Sequence, residues 1–163
     1  MRLCQRGISG ILVIALFLGL VAGIAAAGQT AAGAESEYFV DPLENLSKTF
    51  DASKGWSVKN DANTPEDPTR IYRQADVPEY ITYRTDKAIT GYMVKVYSMQ
   101  LGQNLKMEIS TDGTKWEPAY FVADNVEGGV SDGWSWTYLV QEDALPDNIH
   151  YFKVTAQNDS KIW

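Results

Sequence analysis

Two tryptophans that lie beside turns are the residues of this sequence best suited to recognition chemistry. Trp56 follows Gly55, and Trp116 follows the turn that contains Gly113. A sugar ring has an apolar face of C–H groups, and a flat indole offers a matching apolar surface with a polar rim. We therefore predict that Trp56 and Trp116 contribute to a carbohydrate-binding surface. The alternative is that both rings cover the edge of the core.

A second aromatic set alternates along one short segment. Trp134, Trp136 and Tyr138 occupy alternate positions, so on a strand they would share one face. An exposed set of this kind would form a sugar platform. The residues of the other face, Ser135, Thr137 and Leu139, are less apolar. Because one face of each strand in a β-sandwich is buried, we expect this aromatic set to face the core.

Three arginines follow the apolar N-terminal segment, at Arg70, Arg73 and Arg84. The planar guanidinium group can donate two parallel hydrogen bonds to vicinal sugar hydroxyls or to a uronate. We take Arg70 and Arg73 as candidate carbohydrate-binding residues. The alternative is that they form structural ion pairs with acidic neighbours such as Asp67.

Metal and catalytic chemistry have less support in the sequence. Asp41 and Glu44 are candidate ligands for a structural Ca²⁺, a cation that prefers carboxylate and carbonyl oxygens, although no EF-hand spacing is present. His150 is the one histidine, which leaves no histidine metal cluster and little room for a Ser-His-Asp triad. No hydrolase, zincin or phosphate-loop motif occurs. We predict no catalytic residue, although the 21 acidic residues leave a carboxylate pair possible.

The N-terminus has the pattern of a secretory signal peptide. Arg2 and Arg6 precede an apolar run over residues 11–27, which ends in three alanines before Gly28. We expect a signal helix over residues 1–27, cleavage near Gly28 and a linker over 28–37; an uncleaved membrane anchor is the alternative. Cys4, the one cysteine, lies before the apolar run. Export without disulfides is more usual for bacterial proteins, so we expect a secreted, extracellular or cell-surface bacterial protein.

The charge of the processed chain limits its partners. Without Arg2 and Arg6, 12 basic residues remain against 21 acidic ones, a net charge of −9. An acidic surface repels nucleic acid and anionic membranes, so we expect neither as a partner after cleavage. The same charge argues against a polyanionic ligand and favours a neutral polysaccharide or oligosaccharide. About 130 processed residues suit one domain, over residues 38–163.

Alternating hydrophobicity predicts the fold class. Leu105, Met107 and Ile109 alternate with polar residues before a turn signal at 111–114, and other short segments repeat the pattern. About eight segments qualify as strands, and none after the N-terminal run has convincing helical periodicity. Short strands separated by frequent turn signals predict an antiparallel β-sandwich or barrel.

Several segments, read in order, carry a family resemblance. They are DPLENLSKTF at 41–50, DPTRIYR at 67–73, EYITY at 79–83, STDGTKW at 110–116 and LPDNIHYFKV at 145–154, with Trp163. Together they resemble the galactose-binding-like jelly-roll modules, related to the discoidin and coagulation factor 5/8 type C fold. Such modules are accessory domains of secreted bacterial polysaccharide-degrading enzymes.

The resemblance implies a jelly-roll sandwich with a non-catalytic carbohydrate-binding role, covalently linked to a glycoside hydrolase or polysaccharide lyase. In similar modules a further strand follows the last tryptophan, so we expect a module truncated at its C-terminus. The resemblance assigns no binding residue. Two alternatives stay open: a cell-surface protein-interaction or spacer module, and a jelly-roll glycoside hydrolase or lyase.

Overall fold

The computed structural model describes residues 12–18, 37–60, 69–75, 77–98, 105–125 and 135–157. The predicted cleavage site, most of the predicted linker, and Trp134 and Trp163 lie outside these residues. Within them the chain forms strands and turns and no helix, which confirms the predicted all-β class.

Twelve strands make up this described part of the chain. They are β1 (Leu12–Leu18), β2 (Glu37–Asp41), β3 (Asp51–Ala52), β4 (Trp56–Asn60), β5 (Thr69–Arg73), β6 (Glu79–Arg84), β7 (Ile89–Ser98), β8 (Leu105–Ser110), β9 (Glu117–Pro118), β10 (Phe121–Asn125), β11 (Ser135–Gln141) and β12 (Tyr151–Ala156).

The strands form two five-stranded sheets and one hairpin. Sheet A has the order β10-β11-β7-β1-β2, sheet B has the order β3-β6-β12-β8-β9, and β4 pairs with β5. Every pairing is antiparallel. In sheet B, β12 lies at the centre, between β6 and β8, so its side chains occupy the middle of both faces of that sheet.

Both sheets contribute to one hydrophobic core. On β8 the alternating residues Leu105, Met107 and Ile109 are buried, as their pattern predicts. Contact between the two sheets is direct, because the ring of Tyr92 on β7 lies 4.6 Å from the ring of Phe152 on β12. Burial of these apolar side chains is the main term that stabilises the fold.

The expected signal helix is not what the structure has over Leu12–Leu18. These residues form β1, which pairs with β2 on one side and β7 on the other. A continuous apolar run suits a buried strand as well as a helix, because it has no periodicity that distinguishes the two. Here the extended form is favourable because the backbone N–H and C=O groups of β1 pair with those of β2 and β7. Signal cleavage itself stays a prediction.

Among the described residues, none belongs to a helix long and apolar enough to cross a membrane.

Candidate functional site

An open pocket of about 290 Å³ lies on the face of sheet B that points away from the core. The alternation of β12 produces this face: Phe152, Val154 and Ala156 are buried inside, and the residues between them point outward. The pocket is lined by Phe50, Asp51, Tyr80, Thr82, Gly113, Trp116, Tyr151, Lys153 and Thr155. It therefore combines four aromatic rings with one carboxylate and one ammonium group.

Tyr151 joins the aromatic rings of the pocket. Its ring centroid lies 5.6 Å from that of Phe50 and 6.4 Å from that of Trp116, and both pairs are edge-to-face. This geometry is favourable because the positive edge of one ring meets the negative face of the other. Phe50 remains 56% exposed, so an apolar ring surface stays open to solvent.

Lys153 contributes a positive charge to the lining of the pocket. Its Nζ lies 3.9 Å from the centroid of the Trp116 ring and 3.0 Å from Oε2 of Glu108. Lys106 Nζ lies 2.7 Å from the other oxygen of Glu108. Burial raises the pKa of Glu108, but the hydrogen bonds and charges of the two lysines outweigh it, so the pKa is lowered. Glu108 thus stays ionised and positions Lys153 against the indole.

Asp51 contributes a hydrogen-bond acceptor to the lining of the pocket. Tyr80 Oη donates a 2.9 Å hydrogen bond to Asp51 Oδ2. This hydrogen bond to the carboxylate raises the pKa of Tyr80, since it stabilises the protonated phenol. A carboxylate has about four lone-pair sites, so the exposed Asp51 can accept further hydrogen bonds from a ligand.

The turn before Trp116 is built from its own side chains. Asp112 Oδ1 accepts hydrogen bonds from the backbone N–H groups of Thr114, at 2.8 Å, and Lys115, at 2.9 Å. These bonds hold the pKa of Asp112 well below its usual range. Gly113 has φ of 75°, and a Cβ there would lie 3.0 Å from the Tyr151 ring. The turn therefore needs glycine twice, for its backbone and for its close approach.

Two of the predicted binding residues, Trp56 and Arg73, form structural contacts within the fold. Trp56 is half-buried, packs against the core and donates its Nε1–H to the carbonyl of Tyr80 at 2.9 Å. Arg73 is 3% exposed and donates from Nη1 to the carbonyls of Val77, at 3.1 Å, and Gln157, at 2.7 Å. Neither residue lines the pocket.

An arginine that was not among the predicted binding residues borders the pocket. The Arg84 guanidinium lies 5.7 Å from the centroid of Phe50 and 5.9 Å from that of Tyr151. The backbone of Arg70 lies opposite Lys59 in the β4–β5 hairpin, and its side chain is outside the described part. The role predicted for Arg70 therefore stays a prediction.

Asp41, a candidate calcium ligand, is an internal hydrogen-bond acceptor. It is 1% exposed; Oδ1 accepts from the backbone N–H of Leu43 at 2.9 Å and Oδ2 from Tyr83 Oη at 3.0 Å. Glu44 points to solvent. Among the described residues, no group of three or more metal-ligating side chains occurs. Asp41 therefore has a role within the fold, and a structural Ca²⁺ at Asp41 and Glu44 stays a prediction.

The expectation that the Trp134–Tyr138 aromatic set faces the core is wrong for Tyr138. Thr137 and Leu139 are fully buried, whereas Tyr138 is half-buried on the outer face of sheet A. Trp136 occupies the same alternation as Tyr138, but its side chain and all of Trp134 are outside the described part. The core accommodates Thr137 in spite of its hydroxyl group. The buried face of β11 is therefore the opposite of the one that side-chain polarity alone predicts.

Sequence analysis missed most of the residues that surround Trp116. The alternating segment Tyr151–Ala156 contains the signal for Tyr151 and Lys153, because these residues alternate with three apolar neighbours. It does not reveal that β6 and the turn at Gly113 flank that segment. Phe50 and Asp51 come from the short strand β3 and the residue before it, which have no pattern of their own.

No protein-family model matches the chain, and neither the curated proteins nor the solved structures include a match.

Proposed function

We propose that this chain is a non-catalytic carbohydrate-binding module and that the pocket on sheet B is its binding site. The observation that carries the proposal is the clustering of Phe50, Tyr80, Trp116 and Tyr151 around two hydrogen-bonding groups on an open sheet face. Asp51 is the one carboxylate among the residues that line the pocket. Glycoside hydrolysis usually needs two facing carboxylates, so the site supports binding better than hydrolysis.

A sugar ring would bind here through both of its chemical features. Its C–H face would lie against the exposed surface of Phe50 or Trp116, where it displaces water from apolar atoms. Asp51 would accept hydrogen bonds from adjacent hydroxyls, and Lys153 would donate to a hydroxyl or ring oxygen. An open site with a few such contacts corresponds to a Kd in roughly the micromolar to millimolar range.

The charges of the site favour a neutral glycan. Lys153 already has an ion-pair partner in Glu108, and the net charge of −9 after cleavage disfavours polyanions. For the fold, we propose the jelly-roll sandwich of the galactose-binding-like modules, which two antiparallel sheets around one core support. The proposed context is a secreted bacterial protein in which this module accompanies a polysaccharide-degrading domain.

Affinity electrophoresis over a panel of neutral and acidic glycans tests the proposal. The parent should be retarded by at least one neutral glycan, and Trp116→Ala should abolish the retardation with a nearly unchanged thermal midpoint. Trp56→Phe is the matched control: it changes a tryptophan outside the pocket and should retain binding. If the parent is folded and no glycan retards it, the carbohydrate proposal is wrong.

The protein-interaction alternative rests on the outer face of sheet A. Tyr38 and Val40 on β2 are 61% and 48% exposed, and Val122 on β10 is 48% exposed. Tyr38 and Val40 lie together at one edge of the sheet, and contiguous exposed apolar residues are a feature of interaction surfaces. This alternative predicts that no glycan retards the parent and that Trp116→Ala has no effect on function, so the same electrophoresis distinguishes the two.

A further inference from the structure

The position next to the edge strand β2 in sheet A is occupied by a segment that has two conflicting identities. β1 lies between β2 and β7 and is the strand partner that β2 has in the described part of the chain. The same residues, Leu12–Leu18, form the apolar centre of the predicted signal peptide. If export removes that peptide, β2 loses its partner and the edge of β7 is left open.

The register of β1 defines what this position accepts. Every second residue of β1 lies opposite a buried residue of β7: Leu12 opposite Val96, Ile14 opposite Val94 and Leu16 opposite Tyr92. Of the intervening residues, Val13 lies opposite Lys95 and Ala15 opposite Met93, two half-buried positions, whereas Phe17 lies opposite the buried Gly91. The position therefore selects apolar side chains at alternate sites and is more permissive between them.

The direction of the neighbouring strands is equally restrictive. β1 is antiparallel to both β2 and β7, so those two strands run parallel to each other. An extended segment that enters between them must run antiparallel to both, and it gains backbone hydrogen bonds on both sides. Main-chain pairing with selective side-chain sites is the basis of recognition by strand addition.

We propose that the gap between β2 and β7 in the processed protein is a strand-acceptor site. Its ligand is a seven-residue segment of another polypeptide, apolar at alternate positions and antiparallel to both neighbours. The proposal rests on the predicted cleavage, not on the carbohydrate site. A second processed copy cannot supply its own β1, because processing has removed the same segment from it.

The first test uses the full chain with a specific protease site inserted between residues 19 and 36. The chain is folded, cut, and mixed with a fluorescent LVIALFL peptide that carries a lysine tail for solubility. Two further peptides have lysine at the position of Ile14 or of Ala15. We expect the parent and Ala15-position peptides to exchange into the cut protein, and the Ile14-position peptide to bind at least about tenfold more weakly.

A second measurement covers the case in which the cut segment does not leave. In the uncut chain, Ile14→Lys should lower the thermal midpoint clearly, and Ala15→Lys should change it little. Equal effects of the two substitutions, or equal binding of the two lysine peptides, would overturn the strand-acceptor site. A dimer of the cut protein in gel filtration, with no peptide uptake, would also overturn it, in favour of direct pairing between the open strand edges of two copies.

Discussion

The pocket on sheet B and the β4–β5 hairpin each contain a tryptophan and have an arginine at hand, but they use these residues in opposite ways. In the hairpin, Trp56 and Arg73 donate their N–H groups to backbone carbonyls of the same chain. In the pocket, Trp116 packs against Tyr151 and Lys153, and Arg84 lies near Phe50 at an exposed position. Side chains that are buried and bonded within the fold leave little capacity for a ligand, whereas the pocket retains both ring surface and an acceptor.

The difference teaches that residue type does not by itself identify a binding residue. A buried polar group must find a hydrogen-bond partner, so a buried arginine or indole is used by the fold. Side chains on an outward sheet face carry no such constraint. Substitutions in the two regions should therefore separate effects on stability from effects on binding.

A pair of phenylalanines gives the largest expected contrast. Phe152 is fully buried in the core and Phe50 is 56% exposed in the pocket. Phe152→Ala should lower the free energy of unfolding by about 3–5 kcal/mol, because it removes buried apolar surface and leaves a cavity. Phe50→Ala should change it by about 0.5 kcal/mol or less and should weaken glycan binding. Urea unfolding and affinity electrophoresis measure both; a large loss of stability for Phe50→Ala would contradict the comparison.

A pair of arginines gives the next contrast. Arg73→Leu removes two charged hydrogen bonds to carbonyls and should cost about 1.5–3 kcal/mol in the free energy of unfolding, with unchanged glycan affinity in the folded fraction. Arg84→Leu removes an exposed cation from two aromatic rings and should cost about 0.5–1 kcal/mol. Chemical denaturation of both variants checks this order, and the reverse order would count against it.

The turn before Trp116 should connect stability with binding. Gly113→Ala forces a left-handed backbone onto alanine and should cost about 1–2 kcal/mol. Its Cβ also displaces the Tyr151 ring, so glycan affinity should fall. Lys115→Ala, at an exposed position in the same turn, is the matched control and should leave both quantities near the parent. Unchanged binding in a folded Gly113→Ala variant would show that the turn does not position the pocket.

Alkaline pH should lower the stability of the fold through the buried Tyr83. Burial, and then the charge of Asp41, raise the pKa of Tyr83 well above its usual range. Below pH 10 this tyrosine is protonated in both the folded and the unfolded chain, so its full contribution to the free energy of unfolding is present. Above pH 10 the unfolded chain loses the proton and the folded one keeps it, so stability should fall by about 1.4 kcal/mol per pH unit.

Tyr83→Phe provides the control for this pH effect. The variant loses the hydrogen bond to Asp41 and starts from lower stability, but its free energy of unfolding should fall less steeply above pH 10. Unfolding curves in urea between pH 9 and pH 11 measure both slopes. Identical slopes for parent and variant would show that Tyr83 ionises normally in the folded chain.

Salt should have the smallest effect, and it concerns the pocket. Lys153 already pairs with Glu108, and a neutral glycan brings no charge to screen. Between about 0.05 and 0.5 M NaCl the Kd for a neutral glycan should change by about twofold or less. Isothermal titration at several salt concentrations measures it. A steep loss of affinity with salt would indicate an anionic ligand instead.

Much of the fold was predictable because the signal is local. The alternation in Leu105–Ser110 and Tyr151–Ala156 requires no knowledge of neighbours, since a sheet with one buried face imposes a period of two. Leu12–Leu18 was not predictable in this way. Its apolar run has no period, and only the open positions beside β2 and β7 make it a strand.

The site was predictable only at Trp116, whose position after a glycine turn is a sequence feature. Phe50, Tyr151 and Lys153 come from separate segments that meet because β6 and β12 are neighbours in sheet B, and the sequence does not encode that order in any short pattern. The amino-acid composition by itself determined the acidic net charge and the absence of disulfides after cleavage. The order of apolar and polar residues determined the strand pattern. Tertiary structure alone decided which tryptophan and which arginine stay available, because burial and hydrogen-bond partners belong to the packed chain.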